Sequence, residues 1–259
     1  MSANAEFLID THVHLDCTPL RETLSAEVAA AVCVGVHRFV VPGIWPAGWP
    51  LLLQTVREVP GALAAPGVHP LAAVAWSPEV ARRLESCLDS AVAVGEIGLD
   101  GTLREPSPQR QEEVFRAQLQ LAVALKKPVL IHCRKALGRV LELLRAEGAQ
   151  QVGGILHAYS GSVESAQEAV RMNFALGVGG PITFAGARRI LEVARRLPGE
   201  WLVLETDAPD LTPVPHRGGV NHCAYLPLIA RRLAELRGWS DAETAEITTA
   251  NAKRVLRLR

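Results

Sequence analysis

His12 and His14 stand two residues apart in the segment FLIDTHVHLD, just after a short apolar run. Glu96 lies in AVAVGEIGLD, His132 in KPVLIHC, His157 in GGILHAYSG and Asp207 in WLVLETDAP, each at or near the end of another apolar run. Imidazole and carboxylate together suit zinc, manganese or nickel, and carboxylate-rich sites also accept magnesium. Side chains two apart on an extended strand share a face, so His12 and His14 can reach the same ion. Six donors delivered this way predict one metal centre with two divalent metal ions per chain (Zn, Mg or Mn).

The individual positions suggest roles. A buried carboxylate without partners is costly, but between two ions its charge is compensated. Glu96 is therefore the candidate bridge, with His132 and His157 on the second ion. Asp207 can ligate a metal and also take a proton from a metal-bound water, whose pKa the ion lowers until hydroxide is available for attack. Glu205, two residues earlier, reads either as a support deeper in the same face or as core polarity. Asp16 and Asp100 can orient ligand histidines; for Asp16, helix capping or turn formation is the competing reading. His69 in PGVHP and Arg134 in HCRK suit a substrate phosphate. A structural role for His69 and an ion pair for Arg134 are the alternatives.

These residues need elements to hold them. The apolar runs are FLID, HRFVVPG, ALAAPGVHP, VAVGEIGL, PVLIHC, GGILHAY, FALGVGG and WLVLETD. Several are apolar almost throughout, as strands buried on both faces of a parallel sheet must be. Helical patterns lie between them. In RQEEVFRAQLQLAVALKK, Glu112 and Glu113 open the segment and Lys126 and Lys127 close it, matching the helix dipole. Val114, Ala117, Leu121 and Leu125 recur at helical spacing as its expected core face, and Pro128 stops it. Eight units across the chain give roughly 32 residues each, about the length of one βαβ repeat. In such a barrel, strand ends deliver side chains to the face where chemistry occurs. No linker interrupts the pattern, so 1–259 reads as one α/β domain. WPAGWP (45–50) and the segment 207–223 read as loops, and the Arg pairs at 188–189, 195–196 and 231–232 as solvated outer-helix positions.

Composition narrows the function classes. The chain has 27 Lys+Arg against 27 Asp+Glu, so no global basic field holds a long polyanion. A small phosphate drawn by local metal charge remains compatible with that balance. Cys17, Cys33, Cys87, Cys133 and Cys223 are scattered and form no CxxC pair, which predicts reduced thiols. MSANAEF lacks the features of a signal peptide, and no apolar run reaches the roughly 20 residues a bilayer requires. The expectation is a cytoplasmic monomer with no membrane association and no obligate protein partner.

The blocks IDTHVHLD, GVHP, VGEIGLD, QLQLAVALKKPVLIHCR, ILHAYSGS, LGVGGPITF and LETDAPDL run through almost the whole chain, with TANAKRVL near its end. Together they resemble the TatD family of metal-dependent hydrolases, within the amidohydrolase-like barrel superfamily. The resemblance implies a (β/α)8 TIM barrel and a divalent-metal phosphodiesterase, described in the family as a deoxyribonuclease, often a 3′-to-5′ exonuclease on single-stranded ends. It implies metal ligation by His12, His14, Glu96, His132, His157 and Asp207, catalysis by Asp207 with Glu96 and His69, and a substrate-facing His69. In related hydrolase barrels a carboxylated lysine often takes the central position; here no lysine ends the fourth run.

Two stretches depart from the family pattern. Where the family often reads RGKRNEP, this chain reads RGGVNHC: Arg217, kept as a candidate substrate contact beside Arg134, and Asn221 remain, but His222 and Cys223 replace glutamate and proline. Lys135 stands where aspartate is common. The expected partner is a nucleic-acid end or a small phosphoester. The competing reading is hydrolysis of a carbonyl substrate (a lactone, cyclic amide or aminoacyl ester). A non-catalytic metal-binding protein is a third, against which the complete donor set argues.

Overall fold

The computed structural model describes residues 7–258. The N-terminal reading on MSANAE therefore lies outside the described residues. Each of the eight apolar runs contains or adjoins one strand: β1 (Leu8–Asp10), β2 (Val36–Pro42), β3 (Ala62–Ala65), β4 (Val94–Asp100), β5 (Val129–Arg134), β6 (Gly154–Leu156), β7 (Phe174–Val178) and β8 (Leu202–Leu204). All neighbouring pairs are parallel, in the orders β1-β2-β3 and β4 through β8. Backbone bonds close both seams. Val92 N–H donates to Ala64 O (2.9 Å) and Gly95 N–H to Pro66 O (3.1 Å) between β3 and β4. Thr11 N–H donates to Leu204 O (3.0 Å) between β1 and β8.

The core repeats this closure. Ile9, Val40, Ala65, Leu130, Ile155, Ala175 and Val203, one from each of seven strands, form one buried cluster with Ala93 at the start of the remaining one. That ring is the barrel interior, filled by side chains. Buried Ala252, Val255 and Leu256 plug it from below. The plug comes from the last helix, α9 (Asp241–Val255), and the residue after it; a reciprocal Ser240–Glu243 capping box fixes where that helix starts.

The outer helices are α1 (Leu24–Cys33), α2 (Trp49–Glu58), α3 (Pro78–Leu88), α4 (Pro108–Ala124), α5 (Leu137–Ala146), α6 (Val163–Arg171), α7 (Arg188–Arg196) and α8 (Leu226–Arg237). Two expectations change here. WPAGWP is not all loop: a 3-10 turn at Pro46–Gly48 leads into α2, whose first residue, Trp49, is fully buried. Pro50 suits that first turn, where its missing N–H has no helical partner to lose. On α4, Val114 is buried as expected, but Ala117, Leu121 and Leu125 are only half-buried. The inward face is Gln111, Val114, Phe115, Gln118, Leu119 and Ala122. Two glutamines turn inward because they bind loop backbone, a polar purpose that hydrophobic spacing cannot register.

The segment 207–223 is loop, with 3-10 structure beginning only at Cys223. No helix among the described residues is long and apolar enough to cross a membrane. All five cysteines are free.

Candidate metal centre

His12 and His14 lie just beyond β1, where the backbone bends but is clamped on both sides. Thr11 N–H bonds Leu204 O and Val13 N–H bonds Val40 O (both 3.0 Å). These bonds fix the backbone that carries both imidazoles to Glu96 at the barrel mouth. The β8 exit is tied to the same place: Asp207 N–H donates to His12 O and His14 N–H to Ala208 O (both 2.9 Å). Asp207 takes a left-handed φ of 58°, a conformation aspartate tolerates better than most side chains. Buried Asp10 holds this seam, accepting from the Thr206 N–H (2.9 Å) and hydroxyl (2.5 Å). Burial pushes its carboxyl up to about 7, against those hydrogen bonds.

Glu96 is not at a strand end; it is the third residue of β4, and it occupies the middle of the site. Its Oε2 lies 3.2 Å from His12 Nε2 and 3.9 Å from His14 Nε2. Its Oε1 lies 2.7 Å from His132 Nδ1, 3.3 Å from His157 Nε2 and 3.8 Å from His69 Nε2. Asp207 Oδ1 is 3.7 Å from Nε2 of both His12 and His14. All six expected donors therefore converge, and His69 joins them. Burial alone would raise the Glu96 carboxyl, but His12, His157 and His69 outweigh it and hold it well below the usual range.

The histidines divide by charge. Burial lowers His12 to about 4, with the neighbouring His157 adding to the effect. Burial also pulls at His157, but Asp207, Glu96 and Glu205 overcome it and carry that imidazole up to about 10. The two rings stack at 3.7 Å, too close for both to carry charge. Burial pushes Asp207 well above the ordinary carboxylate range, reinforced by Glu96, Glu205 and Asp210.

The donor set fits divalent metal. Both ring nitrogens of His12, Nδ1 of His14 and Nδ1 of His157 are buried without a hydrogen-bond partner among the described residues. Such orphans are rare in native structures and call for an ion or water. Donor atoms of His12, His14 and Glu96 lie within 4.8 Å of one another, as do those of His69, Glu96 and His132. His69 is set apart by its tautomer. Its Nδ1 accepts from Leu71 N–H (3.1 Å), so the ring proton sits on Nε2, and that nitrogen is a donor rather than a metal ligand.

Residues around the ligands hold them in place. Asp100 Oδ2 stands 3.3 Å from His132 Nε2, as expected of an orienting carboxylate. Asp16 meets the Cys17 thiol and lies within 4.8 Å of a His14 donor atom. Glu205 is fully buried; its Oε1 accepts from Ala158 N–H (2.6 Å) and lies 3.4 Å from His157 Nδ1. Gly177 makes room for it, since a Cβ there would stand 2.2 Å from Glu205 Oε2.

Sequence reading missed three supports. Gln118 on α4 takes Val68 N–H (2.7 Å) and donates to Val68 O (3.0 Å), fixing the turn that presents His69. Gln111 accepts from Asp100 N–H (2.9 Å). Glu27 on α1 bonds His222 Nδ1 (2.7 Å) and Cys223 N–H (2.6 Å), anchoring the far end of loop 207–223. Glu27 carries one legible signal, a charge on an otherwise small apolar helix; the glutamines carry none.

A cavity of about 540 Å³ opens over the centre, lined by His132, Arg134, His157, Pro181, Asp207 and Leu211 among others. Arg134 is exposed on its wall. Arg217 does not line it; its guanidinium lies over the Phe184 ring at 4.3 Å. Burial raises the Cys133 thiol to about 11, which leaves it protonated and unfit as a nucleophile.

Comparison with known proteins sets the chain among metal-dependent hydrolases. The family described as TatD related DNase matches residues 9–257. The chain is 38% identical to YabD of Bacillus subtilis, an uncharacterized metal-dependent hydrolase, over 97% of this chain and 99% of that one. It is 35% identical to the 3'-5' ssDNA/RNA exonuclease TatD of Salmonella typhimurium, over 95% and 97% of the two chains. The crystal structure of YJJV, a TatD homolog from Escherichia coli K12, superposes with a TM-score of 0.92 at 30% identity, covering 97% of this chain and 98% of that one. With closed barrel, buried imidazole–carboxylate centre and end-to-end likeness in agreement, the chain belongs to the TatD family of metal-dependent hydrolases.

Proposed function

We propose that the chain is a phosphodiesterase acting on nucleic-acid ends with two divalent ions, zinc, magnesium or manganese. The observation that carries this is the division of Glu96: one oxygen faces His12 and His14, the other faces His132 and His157. One carboxylate between two imidazole groups is the arrangement a bridging ligand needs. Asp207 completes the first set. The name of the Salmonella relative supports a nucleic-acid substrate, and a matched region nearly coextensive with the barrel supports a single catalytic domain.

When bound, such ions polarise phosphoryl oxygens and lower the pKa of water. The remaining chemistry belongs to the chain. Asp207, whose carboxyl burial pushes well above the ordinary range, takes and holds a proton at Oδ. His69 stays neutral, since burial lowers it to about 4, and presents Nε2–H to a phosphate oxygen. Arg134 supplies a charged donor on the wall. Glu205 Oε1 stands behind His157, 3.4 Å from Nδ1.

Metal-reconstituted protein and labelled single-stranded DNA test this reading, with and without chelator, beside Asp207→Asn. The expected result is metal-dependent stepwise shortening, reduced about 10²- to 10⁴-fold in the variant, the range of a lost general acid–base group. Intact DNA with metal bound would move the reaction to a smaller phosphoester or a carbonyl compound.

A further inference from the structure

The wall of the central cavity continues beyond the metal centre. Cys133, His157 and Ser160 line both that cavity and a second of about 160 Å³. Lys135 and Arg189 stand on the second, with Tyr159 and Gly161. Lys135 directly follows β5 and Arg189 is the second residue of α7, so two separate connections bring these cations together across β6.

Both side chains are exposed, and neither makes an ion pair among the described residues. Some outer-helix arginines are ion-paired by contrast: Arg139 with Glu112 and Glu142, Arg232 with Glu235. Unmatched cations beside a cavity raise the local concentration of anions. Ser160 offers a hydroxyl that makes no hydrogen bond among the described residues. Clefts for drug-sized ligands begin at about 300 Å³, so a 160 Å³ hollow suits a compact group. An adjoining hollow of about 410 Å³ shares Tyr159, Ser160 and Arg189 and adds Pro181, Ala187 and Ile190, an apolar wall for a sugar or base.

The geometry assigns Lys135 and Arg189 to the phosphate next to the scissile one, so the chain selects a strand with at least two consecutive phosphodiesters over an isolated phosphoester. This rests on the phosphodiesterase reading above.

The test compares metal-reconstituted wild type with Lys135→Ala, Arg189→Ala and the double variant. Substrates are a thymidine dinucleotide with one phosphodiester, a trinucleotide with two, and bis(4-nitrophenyl) phosphate. The trinucleotide KM should rise about three- to fivefold in each single variant, the range of an exposed ion pair, and about tenfold or more in the double. Its kcat should hold, and turnover of the dinucleotide and of bis(4-nitrophenyl) phosphate should not change. Fluorescence anisotropy with a labelled ten-residue oligothymidylate in chelator reads the same site without turnover. There the double variant should lower the salt slope by about 0.7, one single-strand phosphate contact. Wild-type KM and wild-type salt slope in the double variant would overturn the site. If no phosphodiester is cleaved yet the double variant still loses binding and slope, the site stands and the reaction assignment falls.

Discussion

His157 shows how much one side chain's state depends on neighbours that are remote in sequence. Asp207, Glu96 and Glu205 together overcome burial and carry it to about 10. Its folded pKa lies above the unfolded 6.5, so its contribution to stability is complete below about 6.5 and is lost as pH rises towards 10. A ligating imidazole must be neutral, so on the two-ion reading a metal bound at His157 would displace that proton. Zinc binding near pH 8 should release at least one proton per chain, measured by calorimetry in buffers of different ionisation enthalpy. Zero release would show His157 already neutral in the metal-free chain. His12 moves the other way, to about 4, and already stands ready as a neutral donor.

Among the elements, α4 does most to place the site without contributing a ligand. Gln118 clamps the backbone of Val68 beside His69, and Gln111 clamps Asp100 beside His132. Gln118→Leu would keep the bulk of the side chain but leave the Val68 N–H and C=O buried and unpaired. An unpaired buried group costs about 1–3 kcal/mol, so the variant should lose about 2–4 kcal/mol by urea denaturation. An unchanged midpoint would mean that the turn before His69 holds itself. The inward glutamines also explain why the expected α4 face is rotated: two polar groups satisfied by backbone outrank Leu121 and Leu125 for burial.

Across the whole molecule, the two ends of the barrel separate stability from chemistry. The lower ring, Ile9 through Val203, is apolar and sealed by Ala252, Val255 and Leu256, while the mouth holds the charged cluster. Leu256→Ala should cost about 2–5 kcal/mol of unfolding free energy, as buried leucines do, and leave metal content unchanged by elemental analysis. Metal lost in a still-folded variant would show that the plug also sets the geometry of the mouth.

Much of this was legible in the sequence. Eight apolar runs gave eight strands because burial on both faces demands near-continuous hydrophobicity, a local property. The six donor types were visible because so many His, Glu and Asp residues fall beside such runs, a coincidence that a structural role for any one of them does not explain. Their convergence followed from strand ends sharing one face of a barrel. Only the tertiary structure decided the rest. It placed Glu96 mid-strand between two sets of imidazoles, fixed the His69 tautomer through Leu71, set Glu205 behind His157, turned Arg217 onto Phe184 and brought Arg189 beside Lys135. Each of those depends on the direction of a side chain or on a partner far away in the chain. Periodicity records which residues are buried; it holds no information on what they meet there.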